Sequence, residues 1–245
     1  MADELLVCSL RGIEEALRAR HPAQGLYLLK GGGRRLEELA KEAKRQGIKV
    51  VRVPKERLDR YSTEHQGAVL ILSPVEFFPW QERLREVRER GETPLFLALD
   101  GVMDVGNMGA ILRSCEVLGA HGVVIPKRRS APITSAVVRA SAGAALHLPI
   151  DRVPNLASTL RAMKEEGLWV VGTHLQGGQM PFEVDLTLPL VLVMGNEEKG
   201  LSPLVKDICE ILIKIPMRGK TASLNVAAAT AVLLYEVQRQ RSGFL

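Results

Sequence analysis

The chain has 245 residues, of which 46% are hydrophobic and 25% are charged, as in a globular protein of one large or two modest domains. No apolar run approaches the roughly 18 residues of a spanning helix, and the N-terminus carries acids where a signal peptide has a basic flank. We therefore expect a cytoplasmic protein without a membrane segment. The net charge of +5 is compatible with a polyanionic partner such as RNA, although many basic proteins bind none.

The first third of the chain alternates between helical and strand patterns. Helical patterns cover 9–20, 34–47 and 55–62, and strand patterns cover 25–30, 48–53 and 67–72. Ser9 is a good N-cap for the first helix. These elements predict a small α/β domain over residues 1–75. Residues 76–93 then combine prolines and aromatics with a highly charged stretch, which is typical of an inter-domain linker.

From Pro94 onward the alternation is stronger and the strands are more apolar. Strands are predicted at 95–100, 122–126, 168–174, 188–195 and 210–217, and helices at 107–120, 133–146 and 155–167, with a further helix after Asn225. Apolar strands separated by helices predict a mainly parallel sheet covered on both faces. The fold class is therefore α/β, with the larger domain over residues 94–245.

The cysteines and histidines lack the spacing of a metal site or of a disulfide framework. Cys8, Cys115 and Cys209 form no CxxC pair, and no two histidines are spaced as HxxxH. We expect no metal, and we interpret Cys115, which lies inside a predicted helix, as a buried apolar residue.

Three loops rich in glycine and polar residues follow predicted strands, at 100–113, 194–202 and 215–225. In open parallel sheets, ligands bind beyond the carboxyl ends of the strands, so these loops are the candidate site. The GKT of the third loop is not a P-loop, since Lys214 stands where that motif needs glycine. The first loop lacks the GxGxxG spacing of a dinucleotide site, which disfavours the alternative of a nicotinamide dehydrogenase.

The polar residues of these loops each have a structural and a functional interpretation. Asn107 either caps a helix or contacts a ligand, and Arg113 is either a solvated helix arginine or a phosphate ligand. Glu197 either accepts backbone hydrogen bonds that order its loop or is simply solvated. Ser223 and Asn225 precede the last helix, and one of them is expected to cap it.

Together the three loops resemble the three signature motifs of the SpoU (TrmH-type) branch of the SPOUT RNA methyltransferases. The matching stretches, in order, are DGVMDVGNMGAILRSCEVLGAHGVVIP, LVMGNEEKGLS and IPMRGKTASLNVAAATAVLLYE. The N-terminal third, with its YSTEHQGAVL segment, resembles the L30e-like substrate-binding domain of the RlmB-like subgroup. The resemblance implies a deep trefoil knot in the C-terminal domain, an S-adenosyl-L-methionine site formed by the loops, and a homodimer with the active site near its interface.

The resemblance also implies roles for individual residues. The polar catalytic candidates are Asn107, Arg113, Glu197, Ser223 and Asn225. The cofactor-binding candidates are Gly195, Ile215, Met217 and Leu224, with Thr173 and His174 at the end of the preceding strand. The basic residues that we expect to contact RNA phosphates are Arg34, Arg35, Lys127, Arg128 and Arg129.

The implied reaction is methyl transfer to a ribose 2′-hydroxyl. Arginine stays protonated at neutral pH, so we expect Arg113 to bind the neighbouring phosphate and orient the hydroxyl rather than to accept its proton. The RlmB-like layout suggests a guanosine of large-subunit (23S) ribosomal RNA as the target. Transfer RNA is the alternative substrate, and a catalytically silent RNA-binding protein of the same fold is the alternative of a different class.

Overall fold

The computed structural model describes residues 5–73, 75–175, 177–220 and 223–242. The chain divides into two compact units. The first combines the residues up to Glu76 with Pro132–His147, and the second combines Phe77–Ala131 with the residues from Leu148 onward.

The first unit is a small mixed sheet with helices. Its elements are β1 (Leu5–Val7), α1 (Leu10–Arg18), β2 (Ala23–Leu29), α2 (Arg34–Arg45), β3 (Val50–Val53), α3 (Lys55–Asp59), β4 (Ala68–Leu72) and α6 (Ser135–Ala140). The sheet order is β1-β4-β2-β3, in which β2 and β3 are parallel and β4 is antiparallel to both neighbours. The Ser9 side chain caps α1 by accepting from the Gly12 N–H, as expected. β1 is only three residues long and was not predicted.

The single helix predicted over 133–146 is wrong. α6 ends at Ala140, and a short 3₁₀ turn follows at Ala144–Leu146. Between them Ala142 and Gly143 have φ angles of 52° and 92°. These left-handed conformations cannot continue a right-handed helix, so the apolar periodicity there is shared by two separate elements.

The second unit is a parallel sheet with helices on both faces. Its elements are α4 (Trp80–Glu89), β5 (Leu95–Asp100), α5 (Val105–Val117), β6 (Gly122–Pro126), β7 (Ile150–Val153), α7 (Leu156–Glu165), β8 (Trp169–Thr173), β9 (Leu190–Gly195), α8 (Pro203–Ile208), β10 (Ile211–Ile213) and α9 (Val226–Arg241). The strand order is β10-β8-β9-β5-β6-β7, and every neighbouring pair is parallel. The predicted parallel sheet is confirmed, whereas β7 and α8 were not predicted.

The core of the second unit lies on both faces of the sheet. All residues of β5 and β9 are buried, which explains their uninterrupted apolar runs. One face packs against α4, α7 and α8, with Trp80, Leu84 and Leu160 among the buried residues. α5 and α9 pack against each other and bury Ile111 and Leu234. α4 falls within the segment expected to be a linker, and its inner side chains belong to this core.

Two side chains form hydrogen bonds to the backbone at the start of β5. The guanidinium of Arg241, at the end of α9, donates to the carbonyl oxygens of Thr93 (2.7 Å) and Pro94 (3.0 Å). Burial lowers the pKa of Arg241 to about 10. The Nδ1 atom of His121 accepts a hydrogen bond from the Leu95 N–H at 3.0 Å. The start of this interior strand is therefore held by both side chains.

No helix within the described residues is long and apolar enough to cross a membrane. The same residues contain no group of three or more histidine, cysteine or acidic side chains placed to hold a metal ion.

Candidate active site

Three loops meet at the carboxyl ends of neighbouring strands. Asp100 at the end of β5 pairs in register with Gly195 at the end of β9, so the loops that follow these strands are adjacent. β8 lies next to β9 and ends at Thr173, which pairs with Ile213 of β10. The strand order thus brings together all three sequence-predicted loops.

Asn107, Glu197 and Asn225 form one hydrogen-bonded network. The Asn107 Nδ2 donates to Glu197 Oε1 at 3.0 Å, and the Asn225 Nδ2 donates to the same oxygen at 2.7 Å. The Asn225 Nδ2 also lies 2.8 Å from Asn107 Oδ1, and the Val226 N–H donates to Glu197 Oε1 at 3.3 Å. One carboxylate oxygen therefore links the starts of two helices to the loop after β9.

The way in which α5 and α9 are capped leaves the Asn107 side chain and the Asn225 amide nitrogen available for the network. Asp104 caps α5 by accepting from the Asn107 N–H at 2.7 Å, so the Asn107 side chain is available for Glu197. Asn225 caps α9, with its Oδ1 accepting from the Ala227 N–H at 2.9 Å. Asn225 therefore caps a helix with its oxygen and joins the network with its nitrogen.

The loop after β9 folds tightly back on itself. The backbones of Asn196 and Gly200 exchange two hydrogen bonds of 3.0 and 2.9 Å, and Gly200 has a φ of 65°. A Cβ atom on Gly195 would lie 2.3 Å from the Gly200 carbonyl carbon. This position therefore requires glycine, and the loop backbone lies directly over the end of the strand.

A cavity of about 590 Å³ opens between this loop, the end of β8 and the start of α9. Its volume is in the usual range for a small-molecule site. It is lined by all six residues proposed from the sequence for cofactor binding, namely Thr173, His174, Gly195, Ile215, Met217 and Leu224. Apolar side chains and an accessible backbone edge fit an adenosyl group, which needs flat apolar contacts and a few hydrogen bonds.

The cavity also contains charged residues that the sequence did not single out. Lys206 of α8 lines it, with its Nζ 2.9 Å from the Nε2 of His174. The other ring nitrogen of His174 accepts from the Gly177 N–H at 2.9 Å. A serine at the N-cap followed by proline, here Ser202 and Pro203, is a helix-start signal. This signal could have predicted α8 from the sequence and placed Lys206 one turn into it.

Arg113 and Ser223 do not join the network. Arg113 lies on the exposed face of α5, and no hydrogen bond or ion pair to it is found in the part of the chain that the structure describes. Ser223 is half-buried beside Leu224, and its hydroxyl likewise has no partner among the described residues. Neither residue lines the cavity.

The basic residues proposed for RNA contact belong to both units. In the first unit, Arg34 pairs with Glu38 at 3.0 Å and Arg35 pairs with Glu14 at 2.8 Å. The hydrogen bond from Arg35 lowers the pKa of Glu14.

In the second unit, the loop after β6 carries Lys127, Arg128 and Arg129, all exposed. The Arg129 guanidinium lies 3.9 Å from Asp100. The side chains of Lys127 and Arg128 have no ion-pair partner among the described residues. They are therefore free to contact a phosphate.

The cysteines of the second unit are not nucleophiles. Burial raises the pKa of the Cys115 thiol well above its usual range. Burial, reinforced by the charges of Asp100 and Glu210, raises that of Cys209 to about 12. Both thiols stay protonated at neutral pH, so they act as small apolar residues.

Comparisons with known proteins agree with this geometry. Residues 94–235 match the profile of the SpoU rRNA Methylase family, and residues 7–78 match that of the RNA 2'-O ribose methyltransferase substrate binding family. The chain is 44% identical to a Bacillus subtilis protein named as a TrmH family tRNA/rRNA methyltransferase, over 87% of this chain and 85% of the relative. An uncharacterized tRNA/rRNA methyltransferase of Mycobacterium sp. (strain KMS) is 42% identical over 96% of this chain and 76% of its own.

Solved structures show the same similarity. The SpoU methyltransferase AviRb from Streptomyces viridochromogenes, in complex with AdoMet, superposes with a TM-score of 0.81 at 29% identity, over 99% of this chain and 92% of its own. The AdoMet-bound rRNA methyltransferase from Sinorhizobium meliloti gives 0.80 at 28% identity, over 99% and 88%. The second and third motif loops line a cavity that fits the cofactor, and the first loop is joined to them by the hydrogen bond from Asn107 to Glu197. Together with these comparisons, this shows that the chain belongs to the SpoU family of RNA methyltransferases, which use S-adenosyl-L-methionine as methyl donor.

Proposed function

We propose that this protein methylates the ribose 2′-hydroxyl of a guanosine in large-subunit (23S) ribosomal RNA. The observation that carries the proposal is the network of Asn107, Glu197 and Asn225, which joins two helix starts to the cofactor cavity through Glu197. The match to a substrate-binding profile described for RNA 2'-O ribose methyltransferases supports a ribose hydroxyl as the acceptor. The two-domain, RlmB-like layout favours ribosomal RNA.

The chain's own task is to align the acceptor and to stabilise the charges around it. Bound S-adenosyl-L-methionine supplies a methyl group already activated by its sulfonium. Asn107, Glu197 and Asn225 order the loops, and Ser223 completes the loop before α9. Gly195, Ile215, Met217 and Leu224 hold the adenosyl group, with Thr173 and His174 at the end of the cavity. The reaction gains its rate chiefly from positioning the hydroxyl beside the methyl group.

Arg113 binds the phosphate next to the target ribose and polarises the 2′-hydroxyl. A guanidinium stays protonated at neutral pH and binds phosphate bidentately, so it suits this role better than that of a base. Arg113 and Val117 lie four residues apart on α5, and Val117 is 69% exposed. Val232 and Tyr235 expose further apolar surface on α9. We propose that these surfaces form a homodimer and that Arg113 works at its interface.

Basic residues of both units contact the RNA backbone. Lys127, Arg128 and Arg129 follow the carboxyl end of β6 and lie in the same unit as the cavity. Arg34 and Arg35 form exposed ion pairs, which are weak enough to be exchanged for phosphates. The proposal also places the protein in the cytoplasm with its RNA substrate.

The experiment that tests the proposal is transfer of labelled methyl from S-adenosyl-L-methionine to unmodified 23S ribosomal RNA and to transfer RNA transcripts. We expect label at one guanosine of the ribosomal RNA, and resistance of the adjacent phosphodiester bond to alkali identifies the 2′-oxygen. Arg113→Ala abolishes transfer, whereas Arg161→Ala retains it, because Arg161 is an exposed arginine of α7 outside the cavity.

Two results would contradict parts of this proposal. Label on transfer RNA alone would keep the chemistry and replace the substrate, an outcome consistent with the tRNA/rRNA names of the relatives. Binding of cofactor and RNA without transfer to either RNA would identify a silent RNA-binding protein.

A further inference from the structure

Asp100 is a buried carboxylate at the end of an apolar strand. The five preceding residues of β5 are all apolar, and Asp100 itself is only 5% exposed. Burying an ionised carboxylate is unfavourable unless hydrogen bonds compensate for the lost water. Its partners should therefore explain why an acid occupies this position.

Among the described residues, two groups lie close to the carboxylate. Its Oδ2 accepts the backbone N–H of Ser202 at 2.7 Å, across 102 residues of sequence. Its Oδ1 lies 3.9 Å from the guanidinium of Arg129, whose side chain is 72% exposed. Ion pairs of such exposed side chains contribute little, whereas a short hydrogen bond to a buried carboxylate is among the stronger kinds. The contact with Ser202 is therefore the dominant one.

That contact holds one end of the loop that forms the cofactor cavity. The other end is held by Asn196, whose Nδ2 donates to the Gly101 carbonyl oxygen at 3.0 Å. Between these points the loop closes on itself through the bonds between Asn196 and Gly200. Both ends of the loop are thus attached to residues 100 and 101 at the end of β5.

We propose that Asp100 is a positioning residue for the cofactor, which sets the shape of the loop at 195–202 by anchoring the N–H of Ser202. Asp100 is not among the residues that line the cavity, so it acts through the loop and not by contact. Gly195 and Glu197 of that loop do line it, and their placement depends on the anchor. The inference rests on the cofactor site described above, which binding by the wild-type protein tests separately.

The test compares two replacements of Asp100 that differ in one property. Asp100→Leu keeps the branched shape but accepts no hydrogen bond, whereas Asp100→Asn keeps an acceptor for the Ser202 N–H. We expect the affinity for S-adenosyl-L-methionine, measured by calorimetry without RNA, to fall about tenfold for Asp100→Leu and less than about threefold for Asp100→Asn. Hydrogen exchange at the Ser202 amide should speed up in the first variant only.

Asp151 provides a matched control in the same unit. Its carboxylate also accepts a single backbone N–H, from Trp80 at 2.9 Å, but it lies in the edge strand β7. Asp151→Leu should lower the unfolding temperature and leave cofactor affinity within twofold.

Three outcomes would overturn the proposal. The first is a folded Asp100→Leu variant that binds cofactor within twofold of wild type. The second is an Asp100→Asn variant as weak as Asp100→Leu, which would mean that the charge matters and not the acceptor. The third is an equal loss of affinity in Asp151→Leu, which would show that the loss in Asp100→Leu comes from general destabilisation of the unit. Should Asp100→Leu not fold, the smaller Asp100→Ala, which also lacks an acceptor, takes its place, with the same expected loss of affinity and the same faster exchange at the Ser202 amide.

Discussion

Removing the Glu197 carboxylate should weaken cofactor binding while leaving the fold intact. Its Oε1 accepts from Asn107, Asn225 and the backbone of Val226, so Glu197→Ala breaks all three links between the loop and the two helix starts. Glu198 is the matched control, because it lines the same cavity and is equally exposed, but its side chain has no partner among the described residues, so its removal takes away a charge and no hydrogen bond.

The size of the effect follows from the exposure of the site. A net hydrogen bond contributes about 0.5–1.5 kcal/mol, and solvent screening at an exposed carboxylate places each of these three near the lower end. Three bonds of about 0.5 kcal/mol amount to about 1.5 kcal/mol, or about a tenfold loss in affinity. Glu197→Gln keeps one acceptor but weakens it, so about a threefold loss is expected.

Calorimetric titration with S-adenosyl-L-methionine in the absence of RNA measures these losses, and urea unfolding checks that the variants are folded. We expect Glu198→Ala to bind like wild type. Equal dissociation constants for Glu197→Ala and Glu198→Ala would refute the reasoning, because they would show that the network does not order the cavity.

Three further predictions concern the backbone and the stability of the second unit. Gly195→Ala should reduce cofactor affinity about fivefold or more, since overpacking costs about 1–3 kcal/mol, while Gly219→Ala, with no atom of the described residues within 4 Å of its added Cβ, should not. Arg241→Met should lower the free energy of unfolding in urea by about 2 kcal/mol by leaving the backbone carbonyls without their donor. Burial lowers the pKa of His121 in the folded protein, so the unfolded chain binds more protons below the ordinary histidine pKa. The free energy of unfolding should therefore decline as the pH falls below about 6.5. His121→Asn should make the free energy of unfolding less dependent on pH in this range.

The fold follows from the sequence where a local pattern has one solution. The short, uninterrupted apolar runs of β5 and β9 predict strands buried on both faces, and the structure has both strands in a parallel sheet. Ser9 and Asn225 cap their helices as their residue types predict. The prediction of one helix over 133–146 was wrong, because Ala142 and Gly143 divide an apolar stretch whose periodicity resembles that of a single helix. β1 and α8 contain too few residues for a hydrophobic periodicity to be recognised in the sequence.

The sequence by itself determined the α/β class, the parallel sheet and the candidate loops for ligand binding, because these depend on periodicity and on a general rule for parallel strands. The motifs, through family resemblance, added the cofactor. Only the tertiary structure showed that Glu197, which the motifs had singled out, hydrogen-bonds to both Asn107 and Asn225, because these partners lie 90 and 28 residues away in the sequence. It alone revealed that Asp100 holds Ser202 across 102 residues, because the strand order β9-β5 brings the two loops together.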